Sequence, residues 1–306
     1  GYVYLYSSNS GINIYKIQVD SSASSGSGSS SSGSSTTDTS NGTVVTSFSE
    51  LTAAVTKAEK AGGGIVYVKG SSISCTAQLA LKASNANVSI IGVKNSDGTY
   101  PVLDFSAFRS AYIGKATTDS EVGIRISGSN YTIKNLIIQK APDNGIQIKG
   151  SSAGNNTIEN CIVRYNNDAG VQITGGAYSN TMRFVYSYRN CDVYTLGGNA
   201  DGFAPKLGAG KENVFYGCYS WENSDDGWDS YDKDSLTYNL TYTNCACWNN
   251  GDPTIFTGEY DYNNGNALDT DLLLVELISK KDSSFASNYK NGKFSLPGGS
   301  FISTTQ

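Results

Sequence analysis

The chain has 306 residues, 38% of them hydrophobic and 16% charged, and carries a net charge of −5. That acidity, without a basic stretch to neutralise phosphates, argues against nucleic acid as a partner, and no segment reaches the ~18 apolar residues of a membrane helix. Histidine is absent, which excludes Ser-His-Asp triads, His-ligated zinc and any histidine base.

Residues 1–19 read as two short strands around a Ser-Asn-Ser-Gly turn, the tail of a preceding β-module, since two strands alone cannot bury a face. Residues 20–43 read as a linker, with Ser21 to Ser35 almost entirely Ser and Gly. Such linkers join modules of secreted proteins, so an extracellular location is expected. Residues 44–306 read as one β-helix domain, expected to be incomplete at its C-terminal end. From Phe48 the pattern is helical: Leu51, Ala54, Val55 and Ala58 share a face, and Gly62-Gly63-Gly64 stops the helix. A helix here caps the first coil, which otherwise exposes a sheet edge.

A glycine then returns in register at Gly123, Gly145, Gly170, Gly202 and Gly227, spaced 22, 25, 32 and 25 residues apart. After the first three comes apolar-x-apolar: Ile124-Arg125-Ile126, Ile146-Gln147-Ile148 and Val171-Gln172-Ile173. One strand per repeat with no helix between repeats predicts an all-β solenoid, a parallel β-helix in which each coil stacks on the last. Positions one and three after the glycine are expected to point inward, and positions two and four outward. Near the end, Leu268, Leu272, Val275 and Ile278 lie on one face of a segment from Ala267 to Lys281, which predicts a helical insertion. The six cysteines are read as small buried hydrophobes of the core.

Stacking places acidic residues together. Coils ~4.8 Å apart make Asp201 and Asp226 neighbours, flanked by Asp225 and, on the outer strand face, Asp229. Four carboxylates this close repel unless a cation lies among them, and a hard cation taking six to eight oxygens means calcium more readily than magnesium. For Asp143 and Asp168 a turn-making role is the simpler expectation. Lys206 points outward near Asp229, where it could act as a base, grip a substrate carboxylate, or remain a solvated surface lysine. Trp221 and Trp248 share a column, as a wall stack or as a sugar-stacking platform.

The stretches Ala200-Asp201-Gly202-Phe203-Ala204-Pro205-Lys206 and Asn223-Ser224-Asp225-Asp226-Gly227-Trp228-Asp229, with Gly217-Cys218 and Trp248-Asn249-Asn250, resemble the pectate lyases of polysaccharide lyase family nine over about residues 44–306. The resemblance implies a right-handed parallel β-helix, secreted by a bacterium, that cuts polygalacturonate in pectin by β-elimination with calcium. It also implies that Asp201, Asp225, Asp226 and Asp229 bind that calcium. The family's proton-abstracting lysine lies in an Asn-Gly-Phe-Lys strand, which this chain lacks; Asn264-Gly265-Asn266-Ala267 is the nearest approach. Either the chain ends before the catalytic turn or the base is lost, so Lys206 is the remaining catalytic candidate, and Lys206 and Trp221 are the substrate-binding ones. A monomer is expected.

Two other readings compete. Paired carboxylates at Asp225 and Asp226 suggest hydrolysis, although related hydrolases pair their acids with a histidine missing here. The other is a non-catalytic β-helix that holds pectin through calcium.

Overall fold

The computed structural model describes residues 37–112, 117–192, 198–231 and 240–251, together with the backbone of two strands at residues 2–4 and 16–18. It contains two units, Gly1–Thr37 and Asp38–Gln306. In the first, Tyr2–Tyr4 and Lys16–Gln18 pair antiparallel. The expected insertion at Ala267–Lys281 lies outside the described residues.

The second unit opens with a short strand, Thr43–Val45, which pairs parallel with Gly64–Val68, and the predicted helix, Phe48–Lys60, follows it. Ser47 caps it by accepting from the Glu50 N–H, and Glu50 returns a bond to the Thr46 N–H, so the first turn closes on itself. Leu51, Ala54 and Val55 are its buried face. All described strands that follow pair in parallel, as an all-β solenoid requires. One sheet stacks Leu79–Leu81, Ile124–Ile126, Ile146–Lys149, Val171–Thr174 and Phe203–Pro205 in that order. Its register pairs Ile146 with Val171 and Val171 with Phe203, so the glycine column is a column in space. The remaining strands form two further faces of each coil, joined where Thr157–Arg164 and Thr181–Tyr188 run through a bend.

The bends recur at fixed places. Asn135, Asn160, Phe184, Gly217 and Asn244 all have φ between 50° and 63°. A second set at Lys140, Tyr165, Arg189, Glu222 and Asn249 does likewise, at 50° to 60°. A left-handed residue at each corner turns the strand from one face to the next. The residue after it, where it is asparagine, turns its side chain into the coil.

Two asparagine ladders result, one after the second set and one after a third left-handed corner at Asn155, Ser179 and Glu212, with φ of 51° to 61°. Asn156 donates through Nδ2 to Asn180 Oδ1 at 2.9 Å, and Asn180 to Asn213 at 3.0 Å. Asn166, Asn190, Asn223 and Asn250 repeat this at 2.8–2.9 Å. Each Oδ1 also accepts the backbone N–H of the residue one coil below, as Asn223 does from Asn190 at 3.1 Å. Burying these amides costs little because every one is paired coil to coil.

The ladder explains the returning glycine. A Cβ on Gly145 would lie 2.5 Å from Asn166 Nδ2, and on Gly202 it would lie 1.8 Å from Ser220 Oγ and 2.9 Å from Asn223 Nδ2. The register position faces the ladder of the next coil, which leaves no space for a side chain. Gly202→Ala is therefore expected to lower stability by about 1–3 kcal/mol through overpacking, read as a lower thermal midpoint. An unchanged midpoint would contradict the close approach.

Inward positions form the core, with Ile124, Ile146, Ile148, Ile173 and Phe203 fully buried. The cysteines are free thiols, five of them buried, consistent with a core role. The outer face differs from expectation. Gln147 and Gln172 point outward yet are buried, because Gln147 donates to Gln172 at 2.6 Å and accepts from Arg125, so the column covers itself.

Candidate functional site

The ladder leads directly into the acidic turns. Asn223 and Ser224 are fully buried, and Asp225, Asp226, Gly227 and Asp229 follow on the chain. Gly202 N–H donates to Asp226 O at 2.9 Å, Phe203 N–H to Gly227 O at 3.1 Å, and Asp229 N–H to Phe203 O at 2.9 Å. These bonds set Trp228 on Phe203 and so bring the two acidic motifs into neighbouring coils.

Asp201, Asp226 and Asp229 each present a carboxylate oxygen, and these lie within 4.8 Å of one another. A cation 2.3–2.6 Å from each oxygen spans such a set, and the all-oxygen donors suit a hard cation. Asp225 is adjacent but differently engaged: its Oδ2 accepts the Asn199 N–H at 2.6 Å. The structure thus gathers three of the four aspartates read from the sequence, with the fourth holding the loop beside them.

Lys206 is not a solvated surface lysine. Its Nζ lies 2.7 Å from Asp201 Oδ2 and 2.7 Å from Asp229 Oδ2, with Lys206 8% exposed and Asp201 0%. Burial pulls its ammonium down, but Asp201 and Asp229 outweigh burial and hold it above the ordinary lysine range. In this arrangement Lys206 is a charged donor to both carboxylates. For Asp201, burial pushes the carboxyl up and Lys206 opposes that push. Partial desolvation, then Asp225 and Asp229, move the Asp226 carboxyl up to about 6.

Trp221 also departs from its expected role. Its ring stacks on Tyr188 at 4.4 Å and 14°, and on Trp248 at 5.0 Å and 1°. Both faces are taken, so no face remains for a sugar ring, and the column is a wall stack. Asp143 and Asp168 lie at bends two residues before the register glycine, where each Oδ1 accepts the next residue's N–H, at 2.7 and 2.6 Å.

Sequence reading missed the asparagine ladders that hold the acidic turns. The recurrence of Asn166, Asn190, Asn223 and Asn250 at near-coil spacing was the available signal.

Residues 32–268 match the family described as Pel9A-like, right handed beta helix region. The chain is 32% identical over 253 residues to "Pectate lyase L" of Paenibacillus polymyxa (strain SC2), spanning 79% of this chain and 54% of that protein. It is 31% identical over 141 residues to "Pectate lyase L" of Dickeya chrysanthemi, spanning 46% of this chain and 27% of that one. The chain thus spans about half the length, or less, of these relatives. Among solved structures, pectate lyase Pel9A superposes with a TM-score of 0.54 at 26% identity, covering 72% of this chain and 52% of that one. A rhamnogalacturonan lyase, at TM-score 0.50 and 23% identity, shares the fold. With the coil stacking and the matched residues together, the chain belongs to the Pel9A-like right-handed β-helix family, that of the pectate lyases it matches.

Proposed function

We propose that this chain forms the calcium-binding wall of a secreted pectate lyase that cleaves polygalacturonate by β-elimination. The observation that carries this reading is the convergence of Asp201, Asp226 and Asp229 within 4.8 Å, at the positions of the family's acidic motifs. Asp201 offers a buried carboxylate oxygen, Asp229 a half-buried one and Asp226 one at the surface, with Asp225 a further charge beside them. Bound calcium supplies positive charge that offsets the uronate carboxylate and so acidifies the proton on C5. Backbone N–H groups already orient two of these carboxylates: the Asp226 N–H donates to Asp201 Oδ1 at 3.2 Å and the Tyr231 N–H to Asp229 Oδ1 at 2.8 Å.

Among the described residues, Lys206 is the lysine paired with these carboxylates, and it is a donor rather than a base. That observation favours a second reading, a non-catalytic β-helix that retains polygalacturonate through calcium. One experiment separates the two. With polygalacturonate and calcium, the lyase reading expects ultraviolet absorbance from 4,5-unsaturated ends, abolished by chelator and restored by added calcium. Retention on a pectate column without such absorbance supports the binding reading. Turnover that persists in chelator contradicts both.

A further inference from the structure

We propose that Lys206 is a resident counter-ion that a divalent cation displaces, so that arrival of the cation frees an ammonium to meet the uronate carboxylate. This rests on reading Asp201, Asp226 and Asp229 as cation ligands. Each of the two carboxylates that Lys206 holds has one oxygen already tied to the backbone. Asp201 Oδ1 accepts the Asp226 N–H at 3.2 Å, and Asp229 Oδ1 accepts the Tyr231 N–H at 2.8 Å. The other oxygen of each, Oδ2, accepts from Lys206 Nζ at 2.7 Å. The oxygens not engaged in holding the turns are therefore those that the ammonium occupies. A cation ~2.3–2.6 Å from both leaves no space for an N–H between them, so binding one means releasing the other.

The neighbouring column changes character at the coil that carries this lysine. Arg125, Gln147, Gln172 and Ala204 occupy equivalent positions in successive coils, and Asp229 follows Trp228, which pairs with Phe203. Lys206 reaches back to Asp201, five residues earlier on the chain. The column carries its smallest side chain at that coil.

Displacement also has an electrostatic logic. When all are ionised, Asp201, Asp225, Asp226 and Asp229 carry four negative charges, of which Lys206 offsets one. A divalent cation offsets two, and the released ammonium remains tethered to the same coil. An anionic substrate then meets two positive centres where the cation-free protein presents a net negative surface.

The test is calorimetric titration with calcium alone, together with thermal melts, on the whole chain without substrate. Lys206→Met is expected to bind calcium about 10- to 100-fold more tightly, because no charge-assisted hydrogen bonds have to be broken on binding. Its cation-free form is expected to melt lower, and calcium is expected to raise its melting point more than that of the wild type. Lys206→Gln removes the charge at similar length and carries the same expectation should the methionine variant not fold. Lys206→Arg keeps the positive charge in a planar fork and is expected to bind no more tightly than wild type. Unchanged or weaker calcium affinity in both neutral variants overturns the inference and makes Lys206 a fixed partner beside the metal. Absence of calcium binding in the wild type as well as the variants overturns the cation site itself, a separate and distinguishable result.

Discussion

Replacing Asp201 by alanine is expected to abolish calcium binding and to destabilise the protein by about 3 kcal/mol. Asp201 is fully buried, and removing it leaves the Lys206 ammonium, itself 8% exposed, with Asp229 as its one remaining carboxylate partner among the described residues. Removing one member of a buried ion pair costs ~3–5 kcal/mol, and the surviving Asp229 contact puts this case at the low end. The Asp226 N–H also loses its acceptor. Urea unfolding reads the stability change and calorimetry reads the metal. Asp201→Asn separates the two effects: it keeps an oxygen for the Asp226 N–H but removes the charge, so stability falls less while calcium binding is still lost. A calcium titration unaltered in both variants would remove Asp201 from the cation site.

The second large effect lies in the ladder beneath the site. Asn223→Leu is expected to cost roughly 2–5 kcal/mol, at ~1–3 kcal/mol for each buried polar group left unsatisfied. Asn223 Oδ1 accepts both the N–H and the side chain of Asn190, at 3.1 and 2.8 Å, while its Nδ2 donates to Ser220 Oγ and Asn250 Oδ1 at 2.9 and 2.8 Å. Leucine matches the volume but none of these bonds. Because Asn223 lies two residues before Asp225, calcium affinity is also expected to fall, by about 10- to 100-fold as for other residues that orient metal ligands. Denaturant midpoint and calcium titration check the two parts. A variant with wild-type stability would mean that the ladder amides are not needed to satisfy one another.

Much of this architecture is legible in the residues. Gly145, Gly170 and Gly202 mark the coil because each faces the next coil's ladder, and the apolar-x-apolar triplets after them are the strands that pair in register. The capping helix follows from Leu51, Ala54 and Val55 at helical spacing. The proximity of Asp201 to Asp226 follows from the same column logic, because residues in one register position lie one coil spacing apart. Trp221 shows where that logic ends. Its column with Trp248 is readable, but whether stacked rings leave a face free depends on ring tilt, and at 1° and 5.0 Å they do not.

By itself, the sequence determined the repeat, the parallel stacking and the clustering of aspartates on neighbouring coils, since each depends on backbone register alone. Only the tertiary structure decided that Lys206 lies between Asp201 and Asp229, that Asp225 holds a loop, and that Gln147 and Gln172 bury an outward face. These outcomes depend on which way a long side chain turns once its neighbours are in place. That direction is set by charge and space summed over residues 5 and 23 positions away, which no local pattern carries.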